Sequence, residues 1–357
     1  MRKETLEKRI EEFQRLLRNK GIPVAMIRDS YAFRYFTGID WDPPAIMIPA
    51  EGEPVIFAIE DEIPELSRKT WIKTIIPYRE VKTLINSVHK LVDREIIGFN
   101  IDIDSSAALF RMFTMIHTKR KIEDVHPLIM QLRMIKDDEE IELIKKAGEI
   151  ASKGMEAALK AIKPGVTELD LAAEAEYTMR KAGAEKVFMY VNSGPPRVHA
   201  RPRNKEISDY VLIDLMPAYE GYFYDMARTV LLKKDPKREK ALKAMEEVHK
   251  KLPELIEFNK SFHWLEDRIA EIYRKFGFEK EYIYGFGHGV GLRFEEAPIL
   301  TIIPGDRMKP LRPGMVISAG HAPLTSPDLG MIKIEDTWLL TEDGAKRLSN
   351  YPLIVEI

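Results

Sequence analysis

The sequence predicts an α+β fold in two domains, of which the first is a smaller α/β unit. The chain has 357 residues, and a usual domain length of about 150 residues suggests roughly two domains. Up to about residue 126, short apolar runs alternate with stretches of helical periodicity. Beyond that point, helices precede strands, and residues 282–357 are strand-like with frequent Gly and Pro. We therefore place the domains at residues 1–126 and 127–357.

In the first domain, residues 1–20 carry apolar side chains at helical spacing, and a second helix is predicted near residues 81–92. A polar turn at residues 50–54 predicts a β-hairpin. Asp104 begins a polar stretch that is predicted to cap a helix over residues 107–116. Short apolar runs predict strands at residues 24–27, 45–48, 55–58, 75–76 and 96–99.

The second domain begins with two helices that carry start signals. Asp137 is followed three residues later by Glu140, and the amphipathic helix that follows runs to about Ile162. Thr167 starts the next helix, which ends near Gly183. Strands are then predicted at residues 210–215 and 222–232, and helices at residues 236–257 and 262–276.

The composition restricts the possible functions. Charged residues make up 31% of the chain and hydrophobic residues 45%, which is typical of a globular protein. A net charge of −2 gives no electrostatic reason to expect a nucleic acid or an anionic membrane as a partner. The N-terminus lacks the apolar core of a signal peptide and no long apolar run is present, so we expect a cytoplasmic protein. Because Cys is absent, any metal must be held by Asp, Glu and His.

Few Gln beside abundant Lys and Glu are typical of proteins from thermophiles, which avoid thermolabile residues. We therefore expect a thermophilic source.

Two aspartates are the first candidate site residues. Asp214 follows an apolar strand run, and a carboxylate buried there needs a partner or a metal. Asp225 lies across a hairpin from it, so both side chains can face one pocket from neighbouring strands. The alternative is that both are ordinary acids at strand ends.

Three further motifs are candidates. His288 lies among glycines that permit close approach of the backbone, although an incidental His in a glycine-rich bend is an alternative. Glu335 and Asp336 are adjacent acids in a predicted strand. The alternative, and the usual case, is that one face of such a strand is exposed to solvent and carries the acid. His199 lies in a proline-rich loop and is either a site residue or a surface histidine.

Taken in order, these motifs resemble the metallopeptidase family of Xaa-Pro dipeptidases (prolidases), Xaa-Pro aminopeptidases and methionine aminopeptidases. The resemblance covers the whole chain and includes the stretches at residues 35–38, 132–136 and 162–168. It implies a pita-bread catalytic domain, which is a curved antiparallel sheet with flanking helices. A smaller α/β domain of the creatinase and prolidase type would precede it.

The resemblance also implies a site. The family holds two divalent metals, and Asp214, Asp225, His288 and Glu335 match four of its five ligands. His199 matches an upstream catalytic His. The resemblance further implies a small peptide substrate, attack on the peptide carbonyl by water that a metal activates, and a homodimer.

Two positions depart from the family pattern. Gly320 stands where the family has its other ligand Glu, and Glu295 stands where it has a second catalytic His. The family's Glu is commonly assigned as the proton shuttle, and removing a general base typically costs about 10²–10⁴ in rate. The missing side chain at Gly320 predicts free space beside the metals. His321 is a possible substitute ligand, and Glu295 supplies an acid from another part of the pocket.

The expected cofactor is Mn²⁺, Co²⁺, Fe²⁺ or Zn²⁺, since the ligand set is rich in oxygen with one imidazole. The first metal position keeps its three carboxylates and the second loses one anion, so we expect one tight site and possibly a second, weak one. Three functions stay open: a metal-dependent exopeptidase that cleaves next to proline, a hydrolase of another C–N substrate with one or no metal, as creatinase is, and a non-catalytic binding relative.

Overall fold

The computed structural model describes residues 1–91, 96–101, 110–111, 114–115, 119–194, 201–301 and 303–357. Within these ranges the chain divides into two units, Met1–Arg133 and Met134–Ile357. The first unit therefore extends past the boundary predicted at residue 126. The predicted helix over residues 107–116 lies largely outside the described residues, and its cap and His199 lie wholly outside them.

A six-stranded mixed sheet is the centre of the first unit, and its strands follow the order β4-β3-β2-β1-β5-β6. The central strand β1 pairs antiparallel with β2 and parallel with β5. Strands β2 and β3 pair antiparallel, which confirms the predicted hairpin. The strands are β1 Val24–Ile27, β2 Ile46–Pro49, β3 Val55–Ile59, β4 Thr74–Tyr78, β5 Ile96–Phe99 and β6 Lys121–Asp124.

The helices of the first unit are α1 Lys3–Lys20, α2 Ser30–Thr37, α3 Ile63–Lys69, α4 Val81–Leu91 and α5 His126–Arg133. The predicted helices α1 and α4 are confirmed. Helix α5 packs against α1, which is why the first unit continues to Arg133. Helices α2 and α3 were not predicted, because seven or eight residues give too few turns to show periodicity.

In the second unit, both predicted helix starts are confirmed. The Asp137 side chain accepts a hydrogen bond from the backbone N–H of Glu140, whose carboxylate accepts one from the N–H of Asp137. Thr167 and Asp170 form the same reciprocal pair at the next helix. The helices are α6 Asp138–Lys160, α7 Glu168–Lys181, α8 Pro236–Leu255, α9 Phe262–Lys275 and α10 Pro304–Arg307.

Two antiparallel sheets form the centre of the second unit. The first has the order β10-β8-β7, with β9 on β8, and the second has the order β12-β11-β13-β16-β17. Strands β14 and β15 form a separate hairpin. The bounds are β7 Lys186–Asn192, β8 Tyr210–Tyr219, β9 Tyr222–Phe223, β10 Met226–Leu231, β11 Gly287–Gly289, β12 Glu296–Ile299, β13 Val316–Ala319, β14 Leu324–Ser326, β15 Gly330–Ile332, β16 Asp336–Thr341 and β17 Gly344–Arg347.

A backbone pair between the two sheets also positions the candidate site. The backbone of Ala227 in β10 exchanges two hydrogen bonds with Glu335, at 3.0 and 3.1 Å. Ala227 lies opposite Asp214 in the pairing of β10 with β8. This junction therefore brings the candidate acids of three separate chain segments next to one another.

The apolar core of the second unit lies between its helices and the second sheet. Val248 of α8 and Leu265 and Ile269 of α9 are buried in one cluster with Trp338 and Leu340 of β16. This packing fixes one side of β16, the strand that directly follows Glu335. Among the described helices, none combines the length and the apolarity needed to cross a bilayer.

Candidate metal centre

The two candidate aspartates come from neighbouring strands. Asp214 is in the middle of β8, and Asp225 lies in the short break between β9 and β10. Both are about 2% exposed. Thr337 holds the backbone of Asp225 at both ends, since its Oγ1 accepts from the Asp225 N–H and donates to the Asp225 carbonyl, each at 3.0 Å. The predicted strand over residues 222–232 is thus interrupted at the residue that carries the carboxylate.

Glycines allow the strand that carries His288 to lie deep in the sheet. A Cβ atom at Gly287 would lie 2.1 Å from the carbonyl oxygen of Ser318, and one at Gly289 would lie 2.4 Å from that of Ala297. Nδ1 of His288 lies 3.1 Å from the Gly289 carbonyl oxygen. Assigning the ring proton to Nδ1 from this contact leaves Nε2 as a lone-pair donor, which is the usual arrangement at a metal-binding His.

Glu335 is completely buried directly before β16. Ser318 on the neighbouring strand β13 donates from Oγ to Glu335 Oε1 at 2.7 Å. This hydrogen bond and the backbone pairing with Ala227 fix the orientation of the carboxylate.

These side chains form two overlapping groups. In the acidic triad, which we define as Asp214, Asp225 and Glu335, one oxygen of each residue lies within 4.8 Å of the others. In the imidazole triad, defined as His288, His321 and Glu335, the same limit holds for the ring nitrogens and the carboxylate oxygen. Nε2 of His288 lies 3.4 Å from Asp225 Oδ2, and Nδ1 of His321 lies 3.4 Å from Glu335 Oε1. The structure therefore brings together the four predicted ligands and the possible substitute His321.

A lysine that the analysis of the sequence missed lies in the acidic triad. Lys333 is about 1% exposed, and its Nζ lies 2.7 Å from Asp214 Oδ2 and also contacts Glu335 Oε2. Its position two residues before Glu335 was the available signal, because side chains two apart in an extended segment point to the same face. An ammonium therefore contacts two of the three carboxylates that the first metal position would use, and the expected number of metals stays a prediction.

Burial and mutual repulsion set the ionisation of the acidic triad. Burial raises the pKa of both Asp214 and Asp225, and the negative charge of Glu335 adds to the effect. Burial acts in the same direction on Glu335, but the Lys333 ammonium and the contact with His321 outweigh it and hold the pKa of Glu335 well below its usual range. Asp225, whose pKa is raised furthest above its usual range, is the least compensated acid.

The residues present fit a divalent metal. Within the described part of the chain, Oδ1 of Asp225 and Nε2 of His288 are buried and make no hydrogen bond. Buried polar atoms normally find a partner, so unbonded atoms at the centre of a polar cluster indicate a missing ligand. Carboxylates and imidazoles together suit Mn²⁺, Co²⁺, Fe²⁺ or Zn²⁺. The cluster therefore fits a divalent metal.

The free space predicted at Gly320 does not exist. Gly320 has a φ of +96°, and a Cβ atom there would lie 2.0 Å from the carbonyl oxygen of Ile334. The backbone is fixed in this conformation because the N–H groups of Gly320 and His321 both donate to the Phe286 carbonyl oxygen at 2.9 Å. A larger side chain is excluded by conformation and by contact, and the adjacent His321 supplies the side chain that enters the cluster.

Glu295, another predicted site residue, is not part of either triad. Glu295 is half-buried, and its Oε1 accepts a hydrogen bond from Thr301 Oγ1 at 3.3 Å. His199 lies outside the described residues. Glu168 anchors the chain on both sides of that segment, since its carboxylate accepts hydrogen bonds from Ser193 and from Arg203.

The metallopeptidase family M24 model matches residues 142–342, and the creatinase/prolidase N-terminal domain model matches residues 9–135. The chain is 29% identical to the Xaa-Pro dipeptidase of Pyrococcus furiosus over 357 aligned positions, which cover 96% of this chain and 98% of the relative.

Two solved structures are similar over nearly the whole chain. The prolidase from Pyrococcus horikoshii has a TM-score of 0.87 at 25% identity, covering 97% of this chain and 99% of that one. The X-Pro aminopeptidase from Thermotoga maritima has a TM-score of 0.83 at 25% identity, covering 96% and 100%. The predicted fold, a pita-bread catalytic domain behind a creatinase- and prolidase-type α/β domain, is confirmed. The chain belongs to metallopeptidase family M24.

Proposed function

We propose that this protein is a metal-dependent exopeptidase that hydrolyses the bond next to proline in small peptides, as an Xaa-Pro dipeptidase or aminopeptidase. The observation that carries the proposal is the buried cluster of three carboxylates and two imidazoles in the catalytic domain of a metallopeptidase family. The relatives named as Xaa-Pro dipeptidase and prolidase support the substrate class.

The proposed ligands are Asp214, Asp225, His288 and Glu335, with His321 in place of the missing glutamate. Ser318 and the Gly289 carbonyl orient Glu335 and His288, so the lone pairs point at one another across the cluster before any ion binds. A divalent ion held there supplies Lewis-acid polarisation of the peptide carbonyl and activation of water. Because Glu335 is completely buried, its charge is little screened by bulk water.

Proton transfer needs a group that can reach the substrate. His321, whose side chain is 23% exposed, is the most accessible member of the two triads. We retain the predicted roles of two other residues: His199 steadies the substrate or the oxyanion, and Glu295 supplies the acid that the family's missing glutamate would supply. The cytoplasmic location and the homodimer stay predictions.

A hydrolase of another C–N substrate, with one metal or none, is the second candidate. It is favoured by Lys333, which places a permanent positive charge among the proposed ligands. A substrate that needs less metal assistance would suit such a site. A panel of substrates therefore has to include non-peptide amides and amidines.

The test is hydrolysis of Xaa-Pro dipeptides, of dipeptides without proline and of non-peptide amides and amidines, with added Mn²⁺ or Co²⁺ and with EDTA. We expect hydrolysis of the Xaa-Pro set that EDTA abolishes, and an Asp225→Asn variant slower by at least about 100-fold. Asp209→Asn, which changes a half-exposed aspartate paired with Lys233, is the matched control and should keep full activity. Activity that survives EDTA, or an Asp225→Asn variant as fast as the control, would reject the proposal.

A further inference from the structure

We infer that the Lys333 ammonium is a built-in cation of the acidic triad, so that this protein binds one divalent ion, at the imidazole triad, and not a pair. The inference rests on the proposed metal centre and deepens it. It changes the sequence-based expectation, which placed the tight ion among the three carboxylates.

The placement of Lys333 is fixed by its backbone as well as by its charge. Thr229 Oγ1 donates to the Lys333 carbonyl at 2.9 Å and accepts from the Lys333 N–H at 2.8 Å. The side chain is about 1% exposed and its ammonium contacts Asp214 Oδ2 and Glu335 Oε2. Because Thr229 holds the backbone of Lys333 and two carboxylates hold its ammonium, the positive charge has a fixed position in the cluster.

Lys333 and a divalent ion in the acidic triad would compete for the same oxygens. The ammonium is a compact charge with three donors, and here it lies on one oxygen from each of two carboxylates. An ion bound to those oxygens would approach the ammonium within a buried site, where repulsion between like charges is poorly screened. Either the ion or the ammonium can occupy the acidic triad, but not both.

The imidazole triad remains available because Glu335 presents its two oxygens to different partners. Oε2 contacts Lys333, while Oε1 lies 3.4 Å from His321 Nδ1 and 3.8 Å from His288 Nε2. Nε2 of His288 is buried without a hydrogen bond among the described residues. Asp225 Oδ2 lies 3.4 Å from the same nitrogen and can complete the set.

The charges support one ion. Even with all three carboxylates ionised and both imidazoles neutral, the cluster and its ammonium carry a net charge of −2 at most, which one divalent ion neutralises. A second ion would leave a buried excess of positive charge, which is costly in a site shielded from water. The replacement of a glutamate by Gly320 removes one negative charge from the cluster, and the Lys333 ammonium adds one positive charge. Both changes leave less negative charge for a second ion to neutralise, so the cluster can lack the family's fifth ligand.

The test counts Mn²⁺ per chain by elemental analysis and calorimetry in the parent protein and in Lys333→Met, which keeps the length of the side chain and removes its charge. We expect one ion in the parent and one more in Lys333→Met. The electron paramagnetic resonance spectrum should change from that of an isolated Mn²⁺ to that of an exchange-coupled pair. Lys333→Arg keeps the charge and should keep the count of the parent.

Lys136→Met is the matched control, because Lys136 is an equally buried lysine that pairs with Glu296 outside both triads. It should bind the same number of ions as the parent. Without metal, Lys333→Met should melt about 10 °C below the parent, since its carboxylates lose their internal cation, and Mn²⁺ should restore the loss. Mn²⁺ should not restore stability to Lys136→Met.

Two results would overturn the inference: an exchange-coupled pair of ions in the parent, or equal ion counts in the parent and Lys333→Met. The first can be measured even if Lys333→Met does not fold. Neither result decides the proposed activity, which is measured separately by peptide hydrolysis. Conversely, the parent protein could show no peptidase activity while its ion count still differs from that of Lys333→Met. That result would reject the proposed function and would leave the inferred role of Lys333 unchanged.

Discussion

Glu335 and Asp336 are neighbours in sequence, both are completely buried, and their carboxylates lie in opposite environments. The oxygens of Asp336 accept hydrogen bonds from Arg228 at 2.7 Å, from Ser349 at 3.1 Å and from the Tyr224 hydroxyl. Arg228 is itself fully buried and donates further to backbone carbonyls. Every charge in this second cluster has its partners within the protein.

The cluster around Glu335 is different. Its charges are grouped as closely, yet Asp225 Oδ1 and His288 Nε2 make no hydrogen bond among the described residues. Buried charged groups that only stabilise the fold have hydrogen-bond partners for their polar atoms. Buried polar atoms without a partner in a cluster of charges are typical of a ligand-binding site. We therefore propose a structural role for Asp336 and a binding role for Glu335, although the two acids are adjacent in one extended segment.

The largest effect is expected on the Asp336 side. Asp336→Asn keeps the shape of the side chain and leaves Arg228 buried without its counter-charge, which should cost about 3–5 kcal/mol of unfolding free energy in denaturant titration. Ion binding by the folded protein should not change. Asp343→Asn, an exposed site in the same β16–β17 hairpin, is the control and should change stability by less than about 0.5 kcal/mol. A loss of ion binding in Asp336→Asn would show that the two clusters are not separate.

The next effect concerns His249, which donates from Nε2 to the Ile334 carbonyl at 3.0 Å. Burial lowers the pKa of His249 to about 4 from the ordinary 6.5. The unfolded chain therefore takes up a proton as pH falls through 6.5, while the folded chain does so only near pH 4. The stabilisation is complete above pH 6.5 and is lost as the pH falls to 4, by about 3 kcal/mol.

A His249→Gln variant should lack this part of the pH dependence, and denaturant titrations between pH 7 and about 4 would measure the difference. His263→Gln, an exposed histidine on α9, is the control and should follow the parent. If parent and His249→Gln lose stability in parallel, His249 is not buried in its neutral form.

The smallest effect distinguishes the two clusters most cleanly. Ser318→Ala removes the hydrogen bond that orients Glu335, and Ser349→Ala removes an equivalent bond to Asp336. Each should cost about 1 kcal/mol of stability. Only Ser318→Ala should weaken Mn²⁺ binding in calorimetry, by about 10–100-fold. Equal affinities in the two variants would contradict the assignment of Glu335 as a ligand.

Local signals were sufficient for much of the fold. The reciprocal caps at Asp137 and Thr167 depend on residues three apart, so the sequence alone predicts where α6 and α7 begin. The ordered motifs predicted which acids and which histidine meet, because their spacing matched a family with one site. The short helices α2 and α3 gave no such signal.

Two features of the site depended on tertiary structure. The sequence predicted free space at Gly320. The carbonyl oxygen of Ile334 fills that space, and the positive φ of Gly320 excludes a side chain. Lys333 was not singled out in the sequence, and the pairing of its segment with β10, at Ala227 and Thr229, places it against Asp214. Neither fact follows from residue types, because each depends on which strand lies opposite.

We expect the cluster around Glu335 to bind the divalent ion and the cluster around Asp336 to bind none. Anomalous diffraction from crystals grown with Mn²⁺ tests it directly. We expect one peak bonded to His288 Nε2 and Glu335, with Lys333 still in contact with Asp214 and no peak beside Asp336. A pair of peaks that displaces Lys333 from the acidic triad, or no peak in the cluster at saturating Mn²⁺, would contradict it.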